Sequence, residues 1–172
     1  MAMDTDAIGR AALPAVLALV AFVVGLTLPD VDLLIGVHRS GVTHSVLLPV
    51  LAFADARWRQ AACGLAGGVA IHLSADCFPR AMVGYATVKL PFEGSIGAAG
   101  SYLWLGANAL LALALAAWAL RRLHHPLAAA VVAIGAAVFA LGYLWRDPGG
   151  WPVLALVAAA AWAWWKVARA SR

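Results

Sequence analysis

Three short segments of the chain hold residues whose types and spacing can do chemistry. "LPDVD" supplies Asp30 and Asp32, "HRSGVTHS" supplies His38, Arg39, Thr43, His44 and Ser45, and "HLSAD" supplies His72 and Asp76. His72 and Asp76 are four apart, so on a helix they share one face a turn from each other. Mixed imidazole and carboxylate is a ligand set for zinc, manganese or iron, and three carboxylates are enough to hold one ion or two. Asp30, Asp32, His44, His72 and Asp76 are therefore the expected metal ligands. Thr43 and Ser45 are expected to orient them by hydrogen bonds. An ion held this way would activate water and polarise an ester or phosphoester. His38, with an ordinary pKa near working pH, is the expected general acid or base. Arg39 offers a planar fork for a phosphate or carboxylate, so its loss should spare metal content and stability while ending turnover.

Singly, each residue has a plainer reading. An aspartate after proline at the end of an apolar run is ordinarily a solvated acid or helix cap, and His44 can be an interfacial polar residue flanked by capping hydroxyls. His72 and Asp76 can be a structural pair. Their position inside an apolar run argues for function, because ionisable groups within a membrane are costly and face the bundle interior.

The elements that must position these residues are membrane helices. Of 172 residues, 65% are hydrophobic and only 12% charged, well outside soluble globular usage. The net charge of +4 suggests nucleic acid only superficially, since the basic residues stand in ones and twos beside apolar runs and form no stripe. Runs 11–28, 101–120, 127–145 and 151–165 approach the roughly 20 residues that cross a bilayer. Two shorter runs, 42–54 and 61–75, flank the polar "DARWRQ" and predict a hairpin of two short spans. The expectation is an all-α, polytopic bundle of about six spans forming a single membrane domain over 1–172. The metal motifs occupy 25–79 and the hydrophobic helices 101–165.

Six spans put both termini on one side. That side carries Arg10, Arg57, Arg59, Arg121, Arg122, Lys166, Arg169 and Arg172, against Arg39, Arg80, Lys89 and Arg146 on the other. Eight against four predicts cytoplasmic termini and a site facing outside. Asp4 and Asp6, and the lack of an A-x-A site before "LPDVD", argue against a cleaved signal. With this topology the 30–44 segment and the end of the third span emerge together. Gly64, Gly67 and Gly68 would let a neighbouring helix approach closely.

Other candidates read more simply. Cys63 and Cys77 fall at opposite ends of one predicted helix, about 21 Å apart at 1.5 Å per residue, and are expected to be free thiols. His124 and His125, beside Arg121 and Arg122, read as a headgroup-facing loop on the other side. Trp58, Trp104, Trp145, Trp151 and the tryptophans of 162–165 read as interfacial anchors, and Glu93 as a solvated loop acid.

Together, "LPDVD", "HRSGVTHS" and "HLSAD" resemble the membrane-bound metal-dependent hydrolase family typified by the inner-membrane protein YdjM. That family has a Pro-Asp-x-Asp segment, an H-R-x-x-T-H-S segment and an H-x-x-x-D helix in the same order. Here one residue is inserted between Arg39 and Thr43, and Leu33 stands where family members often have histidine. The resemblance covers about 25–79. It implies a bacterial-type inner-membrane location, an exterior metal site, and kinship with zinc-dependent phospholipase C and P1-type nucleases.

Residues and resemblance together favour a membrane-embedded, metal-dependent hydrolase of a phosphoester or ester in a lipid-like substrate. Membrane lipid is the expected partner and nucleic acid is not. Two other classes stay open: a non-catalytic membrane protein with a structural His/Asp metal site, and a small transporter. The transporter is disfavoured because Asn108 and a few Ser/Thr are the only polar groups at depth in the spans.

Overall fold

Small residues set how closely the helices approach. A computed structural model describes residues 5–123 and 125–170; His124 and Arg172 lie outside the described residues. Helix α1 (Thr5–Gly25) crosses α3 (Arg59–Asp76) where Gly64 and Gly68 lie directly on the backbone of Ala18 and Phe22. A methyl group at either glycine would collide with a main-chain carbonyl that cannot move aside. α3 is the centre of the bundle, touching α1, α2, α4, α5 and α6. Ala62, Cys63, Ala66, Val69, Leu73 and Ala75 bury it on almost every side, as expected of a helix without a polar face. Its last turn, carrying His72 and Asp76, is held inside the protein.

After Gly25 the chain bends by 42° and continues as a 3-10 helix, Leu28–Ile35, which carries Asp30 and Asp32. Pro29 fits its first turn, where an N–H would have no partner. Gly36 ends it in the left-handed region (φ 72°), donating its N–H to the Leu33 carbonyl at 3.1 Å.

Residues 37–46 then turn irregularly around the site before α2 (Leu47–Phe53). Irregular backbone inside a bundle needs polar partners, and α4 (Gly97–Arg121) supplies them. The Trp104 indole donates to the His44 carbonyl at 2.9 Å, and the Val46 N–H donates to Asn108 Oδ1 at 2.9 Å. Asn108 is fixed in turn by donating to the Trp104 carbonyl at 2.8 Å. Trp104, expected as an interfacial anchor, is therefore a support for the site loop.

A small antiparallel hairpin, β1 (Lys89–Leu90) and β2 (Gly94–Ser95), closes over this loop. Lys89 donates its N–H to the Arg39 carbonyl at 2.9 Å and accepts from the Gly41 N–H at 2.8 Å. Fully buried Leu73, Val88 and Leu105 pack beneath.

Helices α5 (Pro126–Arg146) and α6 (Gly150–Ala170) complete an all-α architecture. Three helices, α4 to α6, are long and apolar enough to cross a membrane, and α1 with its bent continuation makes a fourth if counted as one span. The expected short spans differ from this set. Run 42–54 yields only the seven residues of α2, about 10 Å long, because its first residues wrap the site. Run 61–75 lies within α3, 18 residues and about 27 Å. Cys63 and Cys77 are free, and Glu93 is exposed, both as expected.

Candidate metal centre

The hydrogen bonds behind the two buried histidines fix which ring nitrogen each presents. His72 Nδ1 lies 2.9 Å from the Leu26 carbonyl and 3.0 Å from the Tyr143 hydroxyl. A carbonyl oxygen only accepts, so Nδ1 carries a proton, and in the neutral ring Nε2 presents its lone pair. His44 is held in the same way. Its Nδ1 lies 3.1 Å from Thr43 Oγ1 and 3.4 Å from Asp32 Oδ2, while the Thr43 hydroxyl donates to that Asp32 oxygen at 2.8 Å. Carboxylate and hydroxyl behind the ring are the support that metal-binding histidines ordinarily have.

Arg39 performs the same service for Asp76. Its Nη2 donates to Asp76 Oδ1 at 2.7 Å and its Nη1 to the Ala86 carbonyl at 2.7 Å, leaving Asp76 Oδ2 free to face the histidines.

His44 Nε2 lies 3.3 Å and His72 Nε2 3.4 Å from Asp76 Oδ2. Asp30 Oδ1 is 3.8 Å and 3.7 Å from the same two nitrogens. These separations can be compared with a tetrahedron of donors around one ion, whose edges are about 3.3–3.6 Å for bonds of roughly 2.0–2.2 Å. The first two match, and the Asp30 edges are slightly long. His44 Nε2, His72 Nε2 and Asp76 Oδ2 are all buried and have no hydrogen-bond partner among the described residues. Lone pairs facing one another in a buried space are unfavourable unless a cation lies between them. The buried His/Asp group can hold a metal ion.

A second group overlaps the first. Asp30, Asp32 and His38 offer donor atoms within 4.8 Å of one another, as do Asp30, His44 and His72, with Asp30 common to both. Asp32 Oδ1 and His38 Nδ1 are again buried without partners. His38 stacks on the Tyr85 ring at 4.5 Å, and Asp30 is the most exposed of the set at 41%. Burial, and then the Arg39 guanidinium, hold the His38 imidazole below its ordinary pKa.

All five expected ligands meet here, from segments more than forty residues apart in the case of Asp30 and His72. Thr43 hydrogen-bonds two of them, Asp32 and His44. Ser45 does not: its hydroxyl donates to the Val42 carbonyl at 2.7 Å and accepts from the Leu47 N–H at 3.2 Å, capping α2. Arg39 departs from its expected role. It is 6% exposed and both terminal nitrogens are engaged, so it positions Asp76 and has no free fork for a ligand. The left-handed backbone at Arg39 (φ 58°), rare outside glycine, turns the guanidinium inward.

Tyr143, Tyr85, Lys89 and the Leu26 carbonyl also support the site and were not read from the sequence. Lys89 Nζ donates to the His38 carbonyl at 2.9 Å and to the Tyr85 carbonyl at 2.6 Å. A lone tyrosine in an apolar helix was the available signal for Tyr143. No protein-family model, curated protein or solved structure matches the chain. The chemistry of the centre rests on its own residues.

Proposed function

We propose that this chain is a membrane-embedded, metal-dependent hydrolase acting on a phosphoester or ester of a lipid-like substrate. The observation that carries it is the set of buried, unpartnered donor atoms on His44, His72 and Asp76, converging below the exposed carboxylate of Asp30. A divalent ion bound there, zinc by the balance of nitrogen and oxygen donors, supplies Lewis acidity and a water of lowered pKa. His44, His72 and Asp76 hold that position from inside the bundle. Asp30, the most exposed of these residues and common to both donor groups, would close it. His38 Nδ1, unpartnered and 4.0 Å from Asp30 Oδ1, is placed to take or return a proton at the mouth. Arg39 keeps Asp76 aimed.

The substrate class follows from what adjoins Asp30 and His38. Leu34 and Ile35 follow Asp30 on the same 3-10 helix, and Tyr85 stacks on the His38 ring; all three are exposed apolar or aromatic side chains. They suit a molecule whose tail stays in lipid while its polar head reaches Asp30 and His38. The same motifs carry the proposed kinship with the YdjM-like hydrolases.

Six crossings remain the reading of the topology. The segment from His44 to Phe53 follows α4 from Trp104 to Trp118, against whose ring Phe53 packs at 6.0 Å, a descent of about 21 Å. α3 returns beside it, so the two make a short hairpin. The eight-to-four distribution of basic residues then puts the termini in the cytoplasm and the site outside. A reporter fused after Arg172 is expected to be active only if it is one that works in the cytoplasm, and one inserted beside Glu93 only if it works outside. The reverse pattern removes an outer-leaflet substrate.

Burial of His44 and His72 also favours a structural metal staple, and His38 separates the two readings. In the enzyme, His38→Ala lowers turnover by about 10²–10⁴-fold while the ion held by His44, His72 and Asp76 is retained. Metal content and initial rates on a phosphodiester and carboxyl-ester panel check this. Full metal content without turnover in the wild type supports the staple.

A further inference from the structure

At the end of the bundle opposite the His/Asp centre, a cavity of about 520 Å³ opens between α1, the start of α3, the end of α4 and the start of α5. Arg59, Gln60, Arg122 and His125 line it together with the aromatic rings of Phe53 and Trp118. No carboxylate lines it among the described residues, and neither Arg59 nor Arg122 has an acidic partner among them. The neighbouring Arg57 contrasts with both, being paired with Asp55 at 2.6 Å. Two further features add positive potential. α5 begins at Pro126 after the extended residue His125, so the first-turn N–H groups that follow the proline adjoin the cavity. Arg122 lies over the Trp118 ring at 5.2 Å, which holds its guanidinium at the wall.

We infer that this cavity binds the phosphate of an anionic phospholipid headgroup. The phosphate sits between Arg59 and Arg122, with the first-turn N–H groups of α5 and Gln60 as further donors. Phe53, Trp118 and Leu123 offer an apolar wall for the glycerol and upper acyl chain, which a free inorganic anion would leave unused. Two arginines, one helix N-terminus and no acid among the described residues form a basic pocket between helices of the kind that takes lipid headgroups. The inference needs only that the bundle lies in a bilayer, and it is independent of the hydrolase reading.

Native mass spectrometry of the full chain in a neutral detergent tests it, with phosphatidylglycerol and phosphatidylcholine of equal chain length. Phosphatidylglycerol is expected to stay bound under conditions that strip phosphatidylcholine. At about fivefold per charge, Arg59→Gln with Arg122→Gln should weaken that binding about twenty-five-fold. Arg57→Gln, which lies outside the cavity, should leave it unchanged, and Arg59→Lys with Arg122→Lys should retain most of it. Equal retention of the two lipids by the wild type, or undiminished phosphatidylglycerol binding by the double glutamine variant, overturns the site. Displacement of phosphatidylglycerol by millimolar inorganic phosphate overturns the lipid as its source.

Discussion

His72→Ala is expected to remove the bound metal and with it all turnover. His72 Nε2 faces both Asp76 Oδ2 at 3.4 Å and Asp30 Oδ1 at 3.7 Å, and its ring is 2% exposed, so no water-filled space compensates for the lost donor. The effect reads out independently of any substrate. An ion present at about a thousand times its dissociation constant stabilises the folded wild type by about 4 kcal/mol. The thermal transition of the wild type should therefore rise on adding metal and fall on chelation. That of His72→Ala should respond to neither, and elemental analysis should find the variant empty after dialysis. A variant that retains stoichiometric metal would show that the ion is held elsewhere.

Arg39→Met is expected to destabilise the metal-free protein by about 3–5 kcal/mol, the cost of removing one partner of a buried ion pair. Arg39 and Asp76 are 7% and 15% exposed, so little solvent reaches the carboxylate left behind. Bound metal neutralises Asp76 from its other oxygen, and the loss should be smaller in the metal-loaded form. Metal affinity should also drop by about 10–100-fold, because nothing else orients Asp76 Oδ1. Arg39→Lys should rescue little. A single ammonium on a flexible stem cannot replace donors that reach Asp76 and the Ala86 carbonyl together. Denaturant melts with and without metal check both points. Unchanged stability in the metal-free state would return Arg39 to the ligand-binding fork expected from its type.

The contrast between these two residues shows what could be read from the chain. His72 and Asp76 were legible because helical spacing is a local property and an ionisable pair inside an apolar run has few uses. The long apolar helices α4 to α6 were legible for the same kind of reason, since run length and composition need no tertiary information. Arg39 was misread because its direction depends on a left-handed backbone angle and on loop 82–89, brought over it by the β-hairpin. Tyr143 and Trp104 lie on helices whose rotation about their own axes is set by packing, which composition does not specify. Hydropathy alone did not show that the first residues of 42–54 are irregular. An apolar run can wrap a site as irregular chain if Trp104 and Asn108 satisfy its backbone, and only the folded arrangement brings them there. Ser45 has the right chemistry to support a ligand, but its hydroxyl is taken up by the backbone of Val42 and Leu47.

The most direct measurement is hydrolysis by one preparation carried through chelation and reconstitution. Purified protein in a lipid-like membrane mimetic is assayed on phosphomonoester, phosphodiester and carboxyl-ester amphiphiles. It is assayed as isolated, after removal of metal, and after return of stoichiometric zinc, manganese or iron. The account predicts turnover of at least one ester class that disappears with the metal and returns with it, at one or two ions per chain. Metal-replete protein that hydrolyses none of them would contradict it.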